Sequence, residues 1–293
     1  MKEITFVDRA SNQLISEKPP GEGFLKFLYH HPFGQLPLEL VAKRKFLSQI
    51  YGRMMHAPSS RKQIKSFIED YQIDMDEAIK SVDEFDSFND FFIRKLKASA
   101  RPIGDGLSSP ADGKLIAFAN VSDIGHFFVK GQKFNLVDFL QDKALADKFQ
   151  NAAMMVVRLA PNDYHRFHFP YSGNASPPTQ ISGSYYSVSP YALAKNFTRV
   201  FCENKREYSL LSTPDKGDII VSPVGATMVG SIIETYPFGQ KVNKGSEMGY
   251  FAFGGSSILM LLEKGKFEID ADLLQNTKDG RETAVKMGEK IGI

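Results

Sequence analysis

The stretch GYFAFGGSSILMLLEKGK, residues 249–266, joins an aromatic run to an apolar run through two glycines and two serines. Residues 258–262 have the composition of a core strand. Glycine weakens a strand because it adds backbone entropy and packs no side chain. Gly254 and Gly255, placed directly before a core strand, therefore indicate a point where the backbone bends or is approached closely.

The composition is that of an ordinary globular chain, with 42% hydrophobic and 24% charged residues among 293. The single cysteine, Cys202, excludes an intramolecular disulfide and a multi-cysteine zinc site, and we interpret it as a buried, inert thiol. The first residues, MKEITFVDRASNQ, lack the apolar core of a signal peptide, and no apolar run is long enough to span a bilayer. We expect a protein that is soluble or lies on a membrane surface.

Positive charge is concentrated near the start of the chain. Residues 1–66 carry 11 Lys and Arg against 5 Asp and Glu, whereas the remaining residues carry a net negative charge. Within this part, residues 24–55 mix apolar side chains with basic ones. Such a segment either lies on an anionic lipid surface or packs on its own core with a solvated basic edge, and composition alone leaves both interpretations open.

The pattern along the chain predicts an α+β fold, with a helical N-terminal region followed by a mainly antiparallel β body. Residues 24–97 have mainly helical patterns, and Ser87 is a candidate N-cap. A Pro-, Gly- and Ser-rich stretch then marks a boundary, so we expect a helical, basic region over 1–98 and a β-rich catalytic domain over 99–293. The predicted strands cover 114–121, 152–160, 182–189, 218–233, 250–253 and 257–265, and a helix is predicted over 135–149.

Three short motifs carry side chains that suit catalysis. Asp112 lies in a turn in SPADGKL, His165 and His168 lie in RLAPNDYHRFHFPYSG, and Ser256 lies in the quoted stretch. Each has an ordinary structural interpretation: Asp-Gly is a common hairpin turn, and the histidines could be buried ring donors. A metal site is not expected, because the two histidines have no obvious third ligand and the flanking prolines argue against a helix.

Together these motifs resemble the phosphatidylserine decarboxylases, a family of self-processing pyruvoyl enzymes. The resemblance includes SFNDFFIRKLKASARPI (87–103), SPADGK (109–114), APNDYHRFHFP (160–170), VGATMVGSI (224–232) and KGSEMGYFAFGGSS (244–257). The last segment is similar to the processing motif of the family, with Ser257 where threonine is usual.

The resemblance implies a role for each candidate. Cleavage between Gly255 and Ser256 is expected to give chains 1–255 and 256–293, which stay together as a heterodimer, and to convert Ser256 into a covalently bound pyruvoyl group. Asp112 and His168 match the residues that complete a self-cleaving triad with Ser256. His165 matches the histidine of the decarboxylation step.

The implied activity is decarboxylation of phosphatidylserine to phosphatidylethanolamine and CO₂ through a Schiff base on the pyruvoyl group, with no metal and no PLP. We expect a peripheral protein on the cytoplasmic face of the cell membrane that meets phosphatidylserine in an anionic bilayer. Residues 24–55, with Lys43, Arg44 and Lys45, are predicted to form the docking face. Nucleic acid is not expected as a partner, and a homo-oligomer stays open.

Two other functions fit parts of the sequence. A Ser-His-Asp hydrolase could use Ser256 intact, although GGSSI lacks the second glycine of a G-x-S-x-G nucleophile elbow. A catalytically inactive lipid-surface binding protein could use the basic N-terminal part as its working surface.

Overall fold

A large twisted sheet organises the chain, and most of its strands come from the second half of the sequence. The computed structural model describes residues 4–17, 52–124, 134–226, 231–252 and 254–293. The strands in these ranges are β1 (Thr5–Asp8), β2 (Gln13–Ser16), β3 (Leu107–Ser108), β4 (Gly113–Phe118), β5 (Ala153–Leu159), β6 (Arg166–His168), β7 (Gly173–Ala175), β8 (Thr179–Ile181), β9 (Arg206–Ser212), β10 (Asp218–Gly225), β11 (Ile232–Glu234), β12 (Lys241–Val242), β13 (Glu247–Phe251), β14 (Ser256–Leu262), β15 (Glu282–Val285) and β16 (Lys290–Gly292).

The large sheet has eleven strands in the order β12-β7-β9-β10-β14-β5-β4-β15-β1-β2, with β8 paired to β9. A second sheet has the order β11-β13-β6, and a third pairs β16 with β3. Every neighbouring pair of these strands is antiparallel except β1 and β15. The predicted α+β class with a mainly antiparallel body is confirmed.

Six α-helices lie wholly within the described part of the chain and accompany the sheets. They are α1 (Ile64–Tyr71), α2 (Phe88–Phe92), α3 (Leu136–Leu140), α4 (Lys143–Lys148), α5 (Pro190–Glu203) and α6 (Ala271–Lys278). Ser87 caps α2 as predicted, because its hydroxyl accepts a hydrogen bond from the backbone N–H of Asp90 at 3.2 Å.

Strand β14 is buried on both faces and separates the two cores of the body. Leu259 and Leu261 point into a core shared with α3, α4 and α5. Ile258, Met260 and Leu262 point to the other face, whose core includes side chains of α6 and of the three-stranded sheet β11-β13-β6, called the small sheet below. Successive side chains of a strand alternate between faces, so a strand between two layers is apolar throughout, as residues 258–262 are.

A third, separate cluster lies in the N-terminal region. Its buried members are mostly phenylalanines of α2 and the segment before it, with Met55 and Ile64. The region is not helical throughout, because β1 and β2 form a hairpin within the range predicted as helical. Most of the predicted docking face, including Lys43, Arg44 and Lys45, lies outside the described residues.

Two other sequence-based expectations differ from the structure. Residues 182–189 were predicted as a strand, but the side chain of Asn204 accepts a hydrogen bond from the backbone N–H of Tyr186 and donates one to its carbonyl. These backbone groups are therefore not free for a sheet. The single helix expected over 135–149 is split into α3 and α4 because Gln141 has φ of 52° between them, and Asp142 caps the second helix.

Gly113 is required by the close approach of β4 to β5. A Cβ atom at this position would overlap the backbone carbonyl oxygen of Arg158 and lie 2.9 Å from a methyl group of Val157. We expect Gly113→Ala to lower the free energy of unfolding by about 1–3 kcal/mol, measured by urea denaturation. Gly52→Ala is the control, since its Cβ would meet no atom within 4 Å in the described structure. Equal stability of the two variants would contradict the assigned close contact.

Candidate functional site

The ends of three neighbouring strands bring the predicted site residues to one edge of the large sheet. β14 begins at Ser256, which lies opposite Leu159, the last residue of β5. β4 begins one residue after Asp112 and runs antiparallel to β5. The start of β14, the start of β4 and the end of β5 therefore meet, as expected for antiparallel neighbours.

Ser256 contacts His165 directly. The hydroxyl oxygen of Ser256 lies 3.4 Å from Nδ1 of His165, and both residues are fully buried. The opposite ring nitrogen of His165, Nε2, lies 3.0 Å from the carbonyl oxygen of Ala160. A carbonyl only accepts, so Nε2 carries the proton and Nδ1 presents its lone pair to the Ser256 hydroxyl.

Burial keeps this imidazole neutral. Loss of hydration lowers the pKa of His165 to about 3, with a nearby carboxylate, Asp163, acting in the opposite direction. The arrangement is a hydroxyl donor facing a neutral nitrogen acceptor. It can therefore move a proton from Ser256 to His165 without first removing a proton from the ring.

A tight turn between β5 and His165 sets the position of the imidazole. The backbone N–H of Asp163 donates to the carbonyl oxygen of Ala160 at 2.9 Å, with Pro161 in the second position, which proline favours in such turns. The Asp163 carboxylate accepts from the backbone N–H of Ala160 at 2.7 Å and from the ammonium of Lys114 at 3.1 Å. Burial acts to raise the pKa of Asp163, but Lys114 keeps it below its ordinary value, so the turn is held by a charged anchor.

The N-terminal region supplies a wall of the site that the sequence alone did not assign. The ring of Phe92, from α2, stacks on the imidazole of His165 with 3.8 Å between centroids and 24° between planes. No role was assigned to Phe92 from the sequence. The one sequence signal for this role was that Phe92 lies in the motif 87–103 that resembles the family. The other phenylalanines of α2, Phe88 and Phe91, pack in the N-terminal hydrophobic cluster.

His168 lies close by but is hydrogen-bonded to other groups. Its Nδ1 donates to the carbonyl of Gly245 at 2.9 Å, and its Nε2 lies 3.2 Å from the hydroxyl of Tyr164. Burial lowers its pKa, whereas its hydrogen bond to Gly245, the Glu247 carboxylate and, to a smaller extent, the Asp112 carboxylate act in the opposite direction. In the described structure the histidine that contacts Ser256 is thus His165 rather than His168.

Asp112 is held in a buried ion pair. Its carboxylate accepts hydrogen bonds from the guanidinium of Arg101 at 2.6–3.1 Å and from the backbone N–H of Met287 at 2.8 Å. Arg101 also pairs with Glu77 at 2.9 Å, which connects the N-terminal region to the body. The geometry places Asp112 at the same edge as Ser256 and within electrostatic range of His168, without hydrogen-bonding it to either.

The peptide before Ser256 lies where the chain passes from one sheet to the other. β13 belongs to the small sheet, and β14 belongs to the large one. Gly254 has φ of 140°, a backbone conformation that residues with a Cβ rarely adopt. The glycines therefore mark a bend at the junction of the two sheets, as the opening stretch of sequence indicated.

Other kinds of site have little support in the described residues. No group of three His, Cys, Asp or Glu side chains there is arranged to hold a metal ion. Burial raises the pKa of the Cys202 thiol to about 11, which fits an inert thiol. The absence of a metal from the reaction stays a prediction.

The lowered pKa of His165 predicts a specific acid sensitivity. Between about pH 3 and 6.5 the unfolded chain binds a proton at this residue that the folded chain does not, so stability falls as the pH decreases. We expect acidification from pH 7 to pH 5 to cost the parent about 2 kcal/mol more than a His165→Gln variant. Urea unfolding at both pH values measures this, with both proteins carrying Ser256→Ala so that each is a single chain.

The exposed His56 provides the matched control for this measurement. His56→Gln removes a histidine that is already in water, so it should leave the pH dependence of the parent unchanged. The assigned neutral state of His165 is wrong if His56→Gln and His165→Gln reduce the pH dependence equally.

Comparisons of the sequence with known proteins identify its family. A family profile described as phosphatidylserine decarboxylase matches residues 88–293. A protein of Fusobacterium nucleatum subsp. nucleatum named phosphatidylserine decarboxylase proenzyme is 50% identical over 294 residues, covering 99% of this chain and 98% of the relative. Proteins of the same name from Desulfitobacterium hafniense (strain Y51) and Clostridium tetani (strain Massachusetts / E88) are each 44% identical, with 99% of this chain and 98% of each relative covered. By its sequence over nearly its whole length, the chain belongs to the phosphatidylserine decarboxylase family.

Proposed function

We propose that the chain cleaves itself between Gly255 and Ser256, converts Ser256 into a pyruvoyl group, and then decarboxylates phosphatidylserine to phosphatidylethanolamine and CO₂. The observation that carries this proposal is the buried contact between the Ser256 hydroxyl and a neutral His165, placed at a glycine bend. The name that the relatives share, phosphatidylserine decarboxylase proenzyme, supports both the reaction and the cleavage.

The first step is an acyl shift within the backbone. The Ser256 oxygen attacks the carbonyl carbon of Gly255, its proton passes to a histidine, and the amide is replaced by an ester with a free amine on residue 256. A trans peptide in a regular strand holds the hydroxyl away from this carbonyl, and the conformation of Gly254 supports a departure from regular strand geometry.

The second step breaks the ester. Removal of the α-proton of residue 256 expels the Gly255 carboxylate, and addition of water with loss of ammonia leaves a ketone at the start of the small chain. The residues present fit this group: Ser256 is fully buried, has a glycine on its N-terminal side and faces a nitrogen base.

The pyruvoyl group supplies a carbonyl that accepts the electron pair left behind when CO₂ departs. His165 faces Ser256, from which this group would be made. Its Nδ1 would move a proton at the substrate α-carbon, and Phe92 covers one face of the imidazole. The assignment of Asp112 and His168 to cleavage rests on the family resemblance.

The strand pairing explains how the two cleavage products would stay together. The small chain, 256–293, contains β14, which pairs with β10 and β5 along its whole length. It also contains β15, which pairs with β4 and β1, and β16, which pairs with β3. A heterodimer of the large and small chains thus follows from the sheet order, because no ladder bond depends on the cut peptide.

The proposed location is the cytoplasmic face of a membrane, where the substrate is found in the bilayer. Among the described residues, no helix is both long and apolar enough to cross a bilayer. We propose that residues 24–55 provide the docking face, on the basis of their basic and apolar composition. Use of an intact Ser256 as a hydrolase nucleophile has less support, because GGSSI lacks the second glycine of a G-x-S-x-G nucleophile elbow.

Cleavage is tested by mass spectrometry of the purified protein and of two serine variants. We expect chains 1–255 and 256–293, with the small chain lighter by one ammonia than the same peptide beginning with serine. Ser256→Ala should stay uncleaved and inactive. Ser122→Ala is the control: it removes an exposed hydroxyl that lies in none of the shared motifs, so it should leave cleavage intact. An active parent protein with an intact Ser256 would overturn the proposal.

Replacement of each of the two histidines is expected to block a different step. On the roles that the family resemblance implies, His168→Ala should remain a single chain, whereas His165→Ala should cleave but decarboxylate about 10²–10⁴-fold more slowly, as expected for loss of a general acid or base. Denaturing gels and CO₂ release measure the two effects separately. The opposite pattern, with cleavage lost only in His165→Ala, would assign cleavage to the histidine that contacts Ser256.

A further inference from the structure

Arg94 is a buried cation whose guanidinium has one nitrogen without a hydrogen-bond partner in the described structure. The residue is 6% exposed, and its Nη1 atom has no hydrogen-bond partner among the described residues. A buried guanidinium with a free N–H group is costly, because the group loses water and gains no acceptor in exchange. Such a group indicates a place where an external acceptor binds.

Arg94 lies beside the loop 160–165, which carries His165 and is called the catalytic loop below. Its Nη2 donates to the backbone carbonyl of Asn162 at 3.4 Å, three residues before His165. The guanidinium also lies over the ring of Phe91, 5.1 Å from the centroid. Phe92, which stacks on His165, is two residues away in the chain. The guanidinium of Arg94 therefore lies beside the turn that leads from β5 to His165.

The nearby carboxylates are already occupied. Glu77 and Asp112 both bind Arg101, and Asp163 binds Lys114. These acids lie within electrostatic range of Arg94, but none of them hydrogen-bonds to it in the described structure. The positive charge of Arg94 raises the cost of protonating His165, which shows that the two groups influence one another.

We propose that Arg94 binds the phosphodiester of the substrate headgroup through its free Nη1. This inference rests on the proposed function, since it assigns a substrate contact to the same site. The phosphorus of the headgroup is joined to the serine α-carbon through one methylene and one oxygen. A cation beside the catalytic loop is thus suitably placed for a substrate whose α-carbon reacts near His165.

The chemistry of the reaction favours the phosphodiester over the carboxylate as the partner. The carboxylate loses its charge as CO₂ departs, so a cation bound to it would stabilise the starting state more than the transition state. The phosphodiester keeps its charge throughout. A cation bound there strengthens binding without opposing the chemical step, and guanidinium groups bind phosphate oxygens well.

The test uses the cleaved enzyme with a soluble short-chain phosphatidylserine as substrate and glycerophosphoethanolamine as inhibitor. This inhibitor carries the phosphodiester but no carboxylate. We expect Arg94→Gln to raise KM and the inhibition constant by the same factor, about 10–100-fold, and to leave kcat nearly unchanged. Lys95→Gln, which removes the adjacent exposed cation, is the matched control and should behave like the parent.

Several outcomes would overturn the inference. A raised KM with an unchanged inhibition constant would make the carboxylate the ligand, and a loss confined to kcat would place Arg94 in the chemical step. Arg94→Lys retains the charge but not the planar fork, so its KM and inhibition constant should lie between those of the parent and of Arg94→Gln. If Arg94→Gln is not processed, Arg94→Lys becomes the test. A KM and an inhibition constant equal to those of the parent would then refute the contact. The parent enzyme tests the proposed function: if it neither cleaves nor decarboxylates, the proposed function fails. If the parent does both, the Arg94 variants test the phosphodiester contact alone.

Discussion

The register of β14 between β10 and β5 is the constraint on which the site depends. Ser256 is opposite Gly225 on one side and Leu159 on the other, and every residue of β14 is buried. A slip of one residue would exchange the two faces of the strand and move its apolar side chains into the wrong cores. The packing energy of the whole strand therefore fixes where the Ser256 hydroxyl lies, and with it the contact to His165.

The same register joins the two sheets at the reacting peptide. β13 is held by β6, which carries His168, and β14 is held by the large sheet. The link between them must turn from one layer to the other, and Gly254 adopts the conformation that makes this possible. The bend is thus a consequence of the layered fold, and the candidate cleavage site uses a backbone departure that the architecture already requires.

Much of this could be predicted from the sequence, because the central strands are strongly patterned. The apolar runs at 114–121, 152–160 and 257–265 correspond to β4, β5 and β14 within a few residues. The segment 182–189 could not be assigned correctly, because its strand-like alternation is overruled by a side chain, Asn204, that comes later in the chain. The hairpin of β1 and β2 was also missed, since its pairing with β15 joins residues at opposite ends of the sequence.

The sequence motifs named the candidate residues, and the structure brings Asp112, His165 and Ser256 to one edge of the large sheet. The contacts could not be predicted, because the hydrogen bond of His165 to Ser256 depends on a turn anchored by Lys114. The N-terminal region also contributes to this part of the molecule, because Phe92 stacks on His165 and Arg94 hydrogen-bonds to the turn before it. The boundary predicted near residue 98 separates the N-terminal hydrophobic cluster from the cores of the β body. It also runs through the candidate site, because Phe92 lies before it and His165 after it. The N-terminal region and the β body therefore meet at the candidate site, through Phe92 at the end of α2 and Arg94 just after it.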